Sequence, residues 1–159
     1  MKTLLLLRHA KSSWKHADLA DHDRPLKRRG RQAAKRMGQL LRELDLVPQH
    51  ILTSTATRAS DTARLAASGM RYNDQIESIA ALYHAEPRTF VAIVSHVTER
   101  IHRLLLVGHN PGLEDWLARM IGRHENLSTA ALARIELPIE SWFDLTPDTH
   151  ATLHGLWRR

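Results

Sequence analysis

Two histidines and two arginines in this chain stand where chemistry is commonly done on an open α/β sheet. Arg8-His9 ends the apolar run Leu4-Leu5-Leu6-Leu7, and Gly108-His109 ends a second run, Leu104-Leu105-Leu106-Val107. Arg58 falls at the start of a helix-forming stretch that follows a third apolar segment, His50-Ile51-Leu52-Thr53. If these strand ends lie side by side, the four side chains ring one point above the sheet. Such a set suits phosphoryl chemistry. Arginine offers a planar, permanently charged fork matched to phosphate oxygens. A neutral imidazole nitrogen is a competent nucleophile that forms a covalent phosphoryl intermediate. A second, protonated imidazole steadies charge on the equatorial oxygens. The protein supplies the positive charge itself, so the scheme calls for no metal and no cofactor.

The elements that would hold these residues are readable in outline. Four successive leucines predict a short strand buried on both faces. Ala33, Ala34, Met37, Leu40, Leu41 and Leu44 recur at helical spacing and predict a helix from Lys27 or Gly30 to Leu44. Ser54 and Thr55 are candidate caps for the next helix, with Ala59, Ala63 and Ala66 inward. A cation in its first turn opposes the helix dipole, which marks Arg58 as aimed at an anion. Gln75–Ile79 predicts a third strand. Pro87 opens a third helix with Phe90, Ile93, Val94 and Val97 on its buried side. After His109, Asn110 is the expected cap and Pro111 the first helical residue, with Glu114 and Asp115 complementing the dipole. Free N–H groups at that helix start would favour a phosphate. Ala130–Leu137 and Ala151–Trp157 read as paired edge strands, at least one of them antiparallel. The alternation implies an α/β fold with a mostly parallel sheet. No repeat or linker interrupts residues 1–159, so one domain is expected.

Bulk properties narrow the classes. The net charge of +6 suggests an anionic partner, and basic residues cluster at Lys27-Arg28-Arg29-Gly30-Arg31. A basic nucleic-acid-binding module is the alternative of another class. Two Phe and two Tyr are thin for stacking bases, so the cluster reads as the solvated start of a helix. The absence of cysteine excludes disulfides and thiolate metal sites. No apolar run approaches a bilayer span or a signal h-region, so a cytoplasmic protein without a membrane partner is expected. The loop Ser12–Leu26 carries His16, Asp18, Asp21, His22 and Asp23 but no recognised ligand spacing, and is read as a flexible or substrate-covering loop. His16, His84, His96, His102 and His154 read as surface histidines.

Leu6-Leu7-Arg8-His9-Ala10-Lys11-Ser12-Ser13-Trp14, then Asp21-His22-Asp23-Arg24-Pro25-Leu26 with Arg29-Gly30-Arg31, and finally Leu104 to Glu114 around Gly-His-Asn-Pro-Gly, resemble the SixA branch of the histidine phosphatase superfamily. That is the superfamily of the cofactor-dependent phosphoglycerate mutases. The resemblance implies a three-layer α/β/α sandwich. It also implies a phosphatase that hydrolyses phosphohistidine on a protein through a phosphohistidine enzyme intermediate. His9 would be the nucleophile, Arg8 and Arg58 the phosphate arginines, and His109 the second histidine. Arg24, in the Arg-Pro-Leu signature, is expected to anchor its loop through Asp21 or Asp23.

Two departures carry information. Ser54-Thr55 stands where the family often has Ser-Pro, which predicts a local backbone change without loss of Arg58. Many superfamily members also carry a mid-chain acidic residue as general acid. Here the aligned region is apolar around Ala81, with Glu77 and Glu86 nearby and read as surface carboxylates. An alkoxide leaving group needs a proton during cleavage. Imidazole, with a conjugate acid of pKa about 6.5, leaves far more easily. The missing acid thus favours a phosphorylated protein bearing phosphohistidine over small phosphate esters, which are the alternative substrates for the same site.

Overall fold

The computed structural model describes residues 1–158. The described strands form one six-stranded sheet in the order β3-β2-β4-β1-β5-β6. These strands are β1 (Lys2–Arg8), β2 (His50–Ser54), β3 (Ile76–Ile79), β4 (Arg103–Gly108), β5 (Leu132–Leu137) and β6 (Thr152–Trp157). The first four are parallel, whereas β5 runs antiparallel to both β1 and β6. The helices are α1 (Arg28–Glu43), α2 (Thr57–Met70), α3 (Pro87–Val94) and α4 (Gly112–Ile121).

The leucine run of β1 explains the three layers. Successive strand side chains point to opposite faces. Leu4 and Leu6 therefore join the core against α3 and α4, with Phe90, Val94, Leu113 and Trp116. Leu5 and Leu7 join the core against α1 and α2, with Met37, Leu41, Ala63 and Ala66. All four leucines are fully buried, each worth about 2 kcal/mol relative to exposure. A polar residue at any of them would open one of the two cores.

The helix stripes run as expected except at their ends. Leu44 is 39% exposed and caps α1 instead of extending its apolar face. The chain turns there through Asp45 at φ 56°, and Leu46 takes the buried place. No helix of the described residues is long and apolar enough to cross a membrane.

Candidate active site

Strand register brings the sequence-predicted residues together. Arg8 lies opposite Gly108 in the β1–β4 ladder, and Thr53 lies opposite Val107 in the β2–β4 ladder. The carboxyl ends of three adjacent parallel strands therefore finish level. His9 leaves β1 with its N–H donating to the Gly108 carbonyl at 3.1 Å, and the His9 and His109 ring centroids are 5.2 Å apart. Both histidines, with Arg58 from the first turn of α2, are buried around a cavity of about 240 Å³ that Arg8 also lines. A larger concavity of about 680 Å³ opens at the amino ends of the strands beside His50 and Glu77, far from this cluster.

Each member is held by an identifiable bond. His9 Nδ1 lies 2.8 Å from the Ala10 carbonyl. A carbonyl only accepts, so Nδ1 carries the proton and Nε2 keeps its lone pair. His109 Nε2 lies 2.8 Å from Ser54 Oγ, while Nδ1 is buried without a protein partner. Arg8 Nη1 donates to the Leu127 carbonyl at 3.1 Å, and its Nε is likewise buried and unpartnered. Unpaired buried polar atoms of this kind suit a polar ligand.

The electrostatics keep both imidazoles neutral at pH 7. Burial, with Arg58, Arg8 and Arg24 nearby, pushes His9 down to about 4 against the opposing pull of the Ala10 carbonyl. Burial, then His9, Arg58 and His84, push His109 down to about 3, with Asp21 opposing. In the free site His109 is therefore held toward its neutral form, and the protonated second histidine expected from the sequence concerns the site with a phosphoryl group bound. The negative charge of a phosphoryl group is needed to favour it.

Arg58 is clamped from the Ser12–Leu26 loop. Its Nη1 donates to the Asp21 carbonyl at 2.7 Å and its Nη2 to Asp21 Oδ2 at 2.9 Å. The same carboxylate accepts from Arg24 Nη1 at 3.0 Å and from the Tyr83 hydroxyl at 2.5 Å. The Tyr83 bond first, then those from Arg24 and Arg58, hold Asp21 far below the usual carboxylate range despite partial burial. Burial and the Asp21 carboxylate raise Tyr83. Arg24 anchors the loop as expected through Asp21, and also through the Ser13 carbonyl and Ser12 Oγ at 3.2 and 2.6 Å. Asp23 is not its partner and sits 3.4 Å from His22 instead. Arg24 is itself buried, lines the cavity, and stacks 3.2 Å over the Trp14 ring. The loop is pinned at its base by Ser13 N–H to the Pro25 carbonyl and Lys27 N–H to the Lys11 carbonyl, both 2.8 Å. Gly30 is required there, because a Cβ would lie 2.2 Å from the Lys11 carbonyl oxygen.

Three local expectations are corrected. Ala56, not Ser54 or Thr55, holds the cap position of α2. Ser54 Oγ accepts the Ala56 N–H at 3.2 Å and lies on His109, while Thr55 Oγ1 lies 2.9 Å from His22 Nε2. The departure at Thr55 therefore ties α2's start to His22 of the Ser12–Leu26 loop, while Ser54 meets His109. At α4 the cap position belongs to Pro111, and Asn110 Oδ1 reaches the Glu114 N–H at 3.3 Å from one residue further back. The Leu113 and Asp115 N–H groups are satisfied by the His109 and Pro111 carbonyls. That helix start therefore has fewer free donors for a phosphate than expected. Asn110 Nδ2 instead donates to Glu114 and to the Leu127 carbonyl that also holds Arg8.

Glu77 lies 2.9 Å from His50 at the other end of the sheet. Glu86 lines a neighbouring cavity, not the one bounded by His9. His84, read as a surface histidine, borders both cavities. Tyr83, Ser54 and His84 are the site residues that sequence reasoning did not place there, and Asp21 was read only as a partner of Arg24. The available signal was the Asp21–Arg24 spacing, which already paired those two.

Comparison with known proteins agrees with this architecture. The family model for the histidine phosphatase superfamily (branch 1) matches residues 4–82. The chain belongs to that superfamily, and it is a phosphatase with a SixA-type, phosphoglycerate mutase-like fold. An uncharacterized chloroplastic protein of Arabidopsis thaliana is 33% identical over 150 residues, covering 89% of this chain and 69% of that protein. SixA of Agrobacterium tumefaciens superposes with a TM-score of 0.79 at 26% identity, covering 99% of both chains. A protein histidine phosphatase SixA complexed with tungstate gives a TM-score of 0.83 at 20% identity, covering 97% of this chain and 95% of that one.

Proposed function

We propose that the chain hydrolyses phosphohistidine on a protein through a covalent phospho-His9 intermediate. The observation that carries this reading is the cavity wall, where the buried pair His9 and His109 stands among Arg8, Arg24, Arg58, Lys11 and His84 and no carboxylate takes part. Such a wall stabilises a phosphoryl group and lacks the carboxylic acid that commonly protonates a basic alkoxide. A substrate phosphoimidazole protonated on its distal nitrogen leaves as neutral imidazole and makes little demand for such an acid.

His9 Nε2 attacks phosphorus in line. The bond to the leaving nitrogen breaks as the new P–N bond forms. Arg8, Arg58 and His109 hold the non-bridging oxygens. The Nδ1–H bond to Ala10 leaves phospho-His9 as a phosphoimidazolium, a good leaving group for the second step. Water then attacks phosphorus and the electron pair returns to Nε2. The tungstate bound by the SixA relative, an oxyanion, supports an oxyanion pocket in this fold. The proposal includes metal independence and a cytoplasmic setting.

The test is release of phosphate from a phosphohistidine-bearing protein domain in the presence of a chelator. The proposal expects turnover there, and slower turnover on a panel of alkyl phosphates. Faster cleavage of an alkyl phosphate would move the substrate to small esters. Binding of RNA or DNA that survives both His9→Ala and Arg58→Ala, with no phosphatase activity, would favour the nucleic-acid alternative.

A further inference from the structure

His84 stands on a wall shared by two cavities of opposite character. On one side is the cavity of about 240 Å³ lined by His9, Arg8, Arg24 and Arg58. On the other is a cavity of about 260 Å³ lined with Glu86 and Asp115 and with no lysine or arginine. Charge assigns the phosphoryl group to the first and the departing group to the second. The bond to be broken would then cross the ridge formed by His84, His109 and Asn110. Of these, His109 is bonded to Ser54 and is assigned above to the phosphoryl oxygens, and Asn110 is bonded to Glu114 and Leu127.

The local backbone fixes this placement. His84 has φ 55°, in the left-handed region, which histidine enters more readily than most non-glycine residues and which Asp45, Arg71 and Ala130 also adopt. Such a conformation persists where the surroundings enforce it. Here the enforcement is visible. A Cβ on Gly112 would lie 1.9 Å from the Ala85 carbonyl oxygen, so only glycine lets α4 press against the His84 loop. The imidazole remains 63% exposed, its ring 3.9 Å from that of Tyr83 and its Nε2 3.9 Å from Asp21 Oδ2. Tyr83 cannot substitute as donor, because its hydroxyl proton is engaged by Asp21.

From this geometry we infer that His84 is the proton-transfer residue of the site, and that the adjoining cavity receives the leaving group. The inference rests on His9 being the nucleophile. With a phosphate ester, the P–O bond breaks as Nε2 of His9 bonds phosphorus. The imidazolium of His84 gives its proton to the departing oxygen, and the alcohol leaves through the adjoining cavity. Neutral His84 then takes a proton from the water that attacks phospho-His9, the P–N electron pair returns to His9, and inorganic phosphate is released. With a phosphohistidine substrate only the second step depends strongly on His84. The acidic function that the sequence lacks near Ala81 is thereby supplied by an imidazole, and phosphate monoesters become substrates of the same site.

The test measures single-turnover phosphorylation of His9 by 4-nitrophenyl, phenyl and glycerol phosphates, in order of rising leaving-group basicity. His84→Asn is the first variant, since Asn tolerates the left-handed backbone, and His84→Gln is the second. The loss should grow along the series, from about threefold to more than about 100-fold, as general-acid catalysis requires. With a phosphohistidine donor the variants should instead accumulate phospho-His9. The alkaline limb of the wild-type rate with glycerol phosphate should vanish in both variants. The charged or titratable groups around His84 are Asp21, His22 and Arg58, with Tyr83 and Glu86 from its own loop and His109 and Asp115 from the α4 side. None of these is changed in the variants. Equal loss on all three esters, or no loss on any, overturns the role of His84. Failure of the wild type to form phospho-His9 from any donor instead overturns the nucleophile assignment beneath it.

Discussion

The floor and the rim of the cavity are built by different means. The floor consists of Arg8, His9 and His109, which continue directly from β1 and β4 and inherit the register of a parallel ladder. The rim consists of Asp21, Arg24, Tyr83 and His84, which come from two loops and hold one another by side-chain bonds centred on one carboxylate. Backbone ladders position the floor independently of any one side chain. The rim depends on each of its members, so substitutions there should change rates more gradually than substitutions on the floor.

The sharpest break of that contrast is at His9. His9→Ala should lower turnover by about 10⁴-fold or more while circular dichroism and the melting temperature at pH 7 stay near wild type. Retained turnover would remove His9 from the chemistry. Next in size is Arg58, which bridges floor and rim. Arg58→Ala should cost about 100- to 1,000-fold in kcat/KM, with weaker inhibition by tungstate. Asp21→Asn leaves Arg58 in place but loosens its clamp, and should cost only about tenfold by the same assay. A loss at Asp21 equal to that at Arg58 would erase the distinction between the two regions.

Acid stability depends on the floor. His9 and His109 are held neutral in the fold, well below the value near 6.5 of an unfolded histidine. The unfolded chain therefore binds more protons as pH falls below about 6.5, and stability is lost from there down toward the folded values of about 4 and 3. Between pH 7 and pH 5 the loss should be about 2 kcal/mol per histidine, read as a fall in urea midpoint. His9→Ala should flatten part of that slope. The smallest effect is expected at Ser54, whose hydroxyl meets His109 Nε2. Ser54→Ala should cost about 1 kcal/mol and a few-fold in rate.

The same contrast explains what could be read from the sequence. The floor was legible because an apolar run that stops at Arg8-His9 or Gly108-His109 fixes both the strand and where its last side chain emerges. Arg58 was legible from a cation placed against a helix dipole. The rim was not. Asp21 reaches Arg58 across 37 residues, and His84 reaches the cavity only because Gly112 admits the Ala85 carbonyl. Neither contact has a periodic or local signature. The push of His109 toward its neutral form in the free site has the same origin, since burial with His9, Arg58 and His84 sets it. The cap positions were missed by one or two residues because Ser54 and Asn110 spend their side chains on His109, Glu114 and Leu127.

The most direct test of the account is to trap the enzyme during turnover of a phosphohistidine donor and locate the phosphate by mass spectrometry. One acid-labile, alkali-stable phosphate is expected on His9, formed and lost at the rate of turnover and absent from His9→Ala. Phosphate on another residue, or full turnover with His9 never phosphorylated, would contradict it.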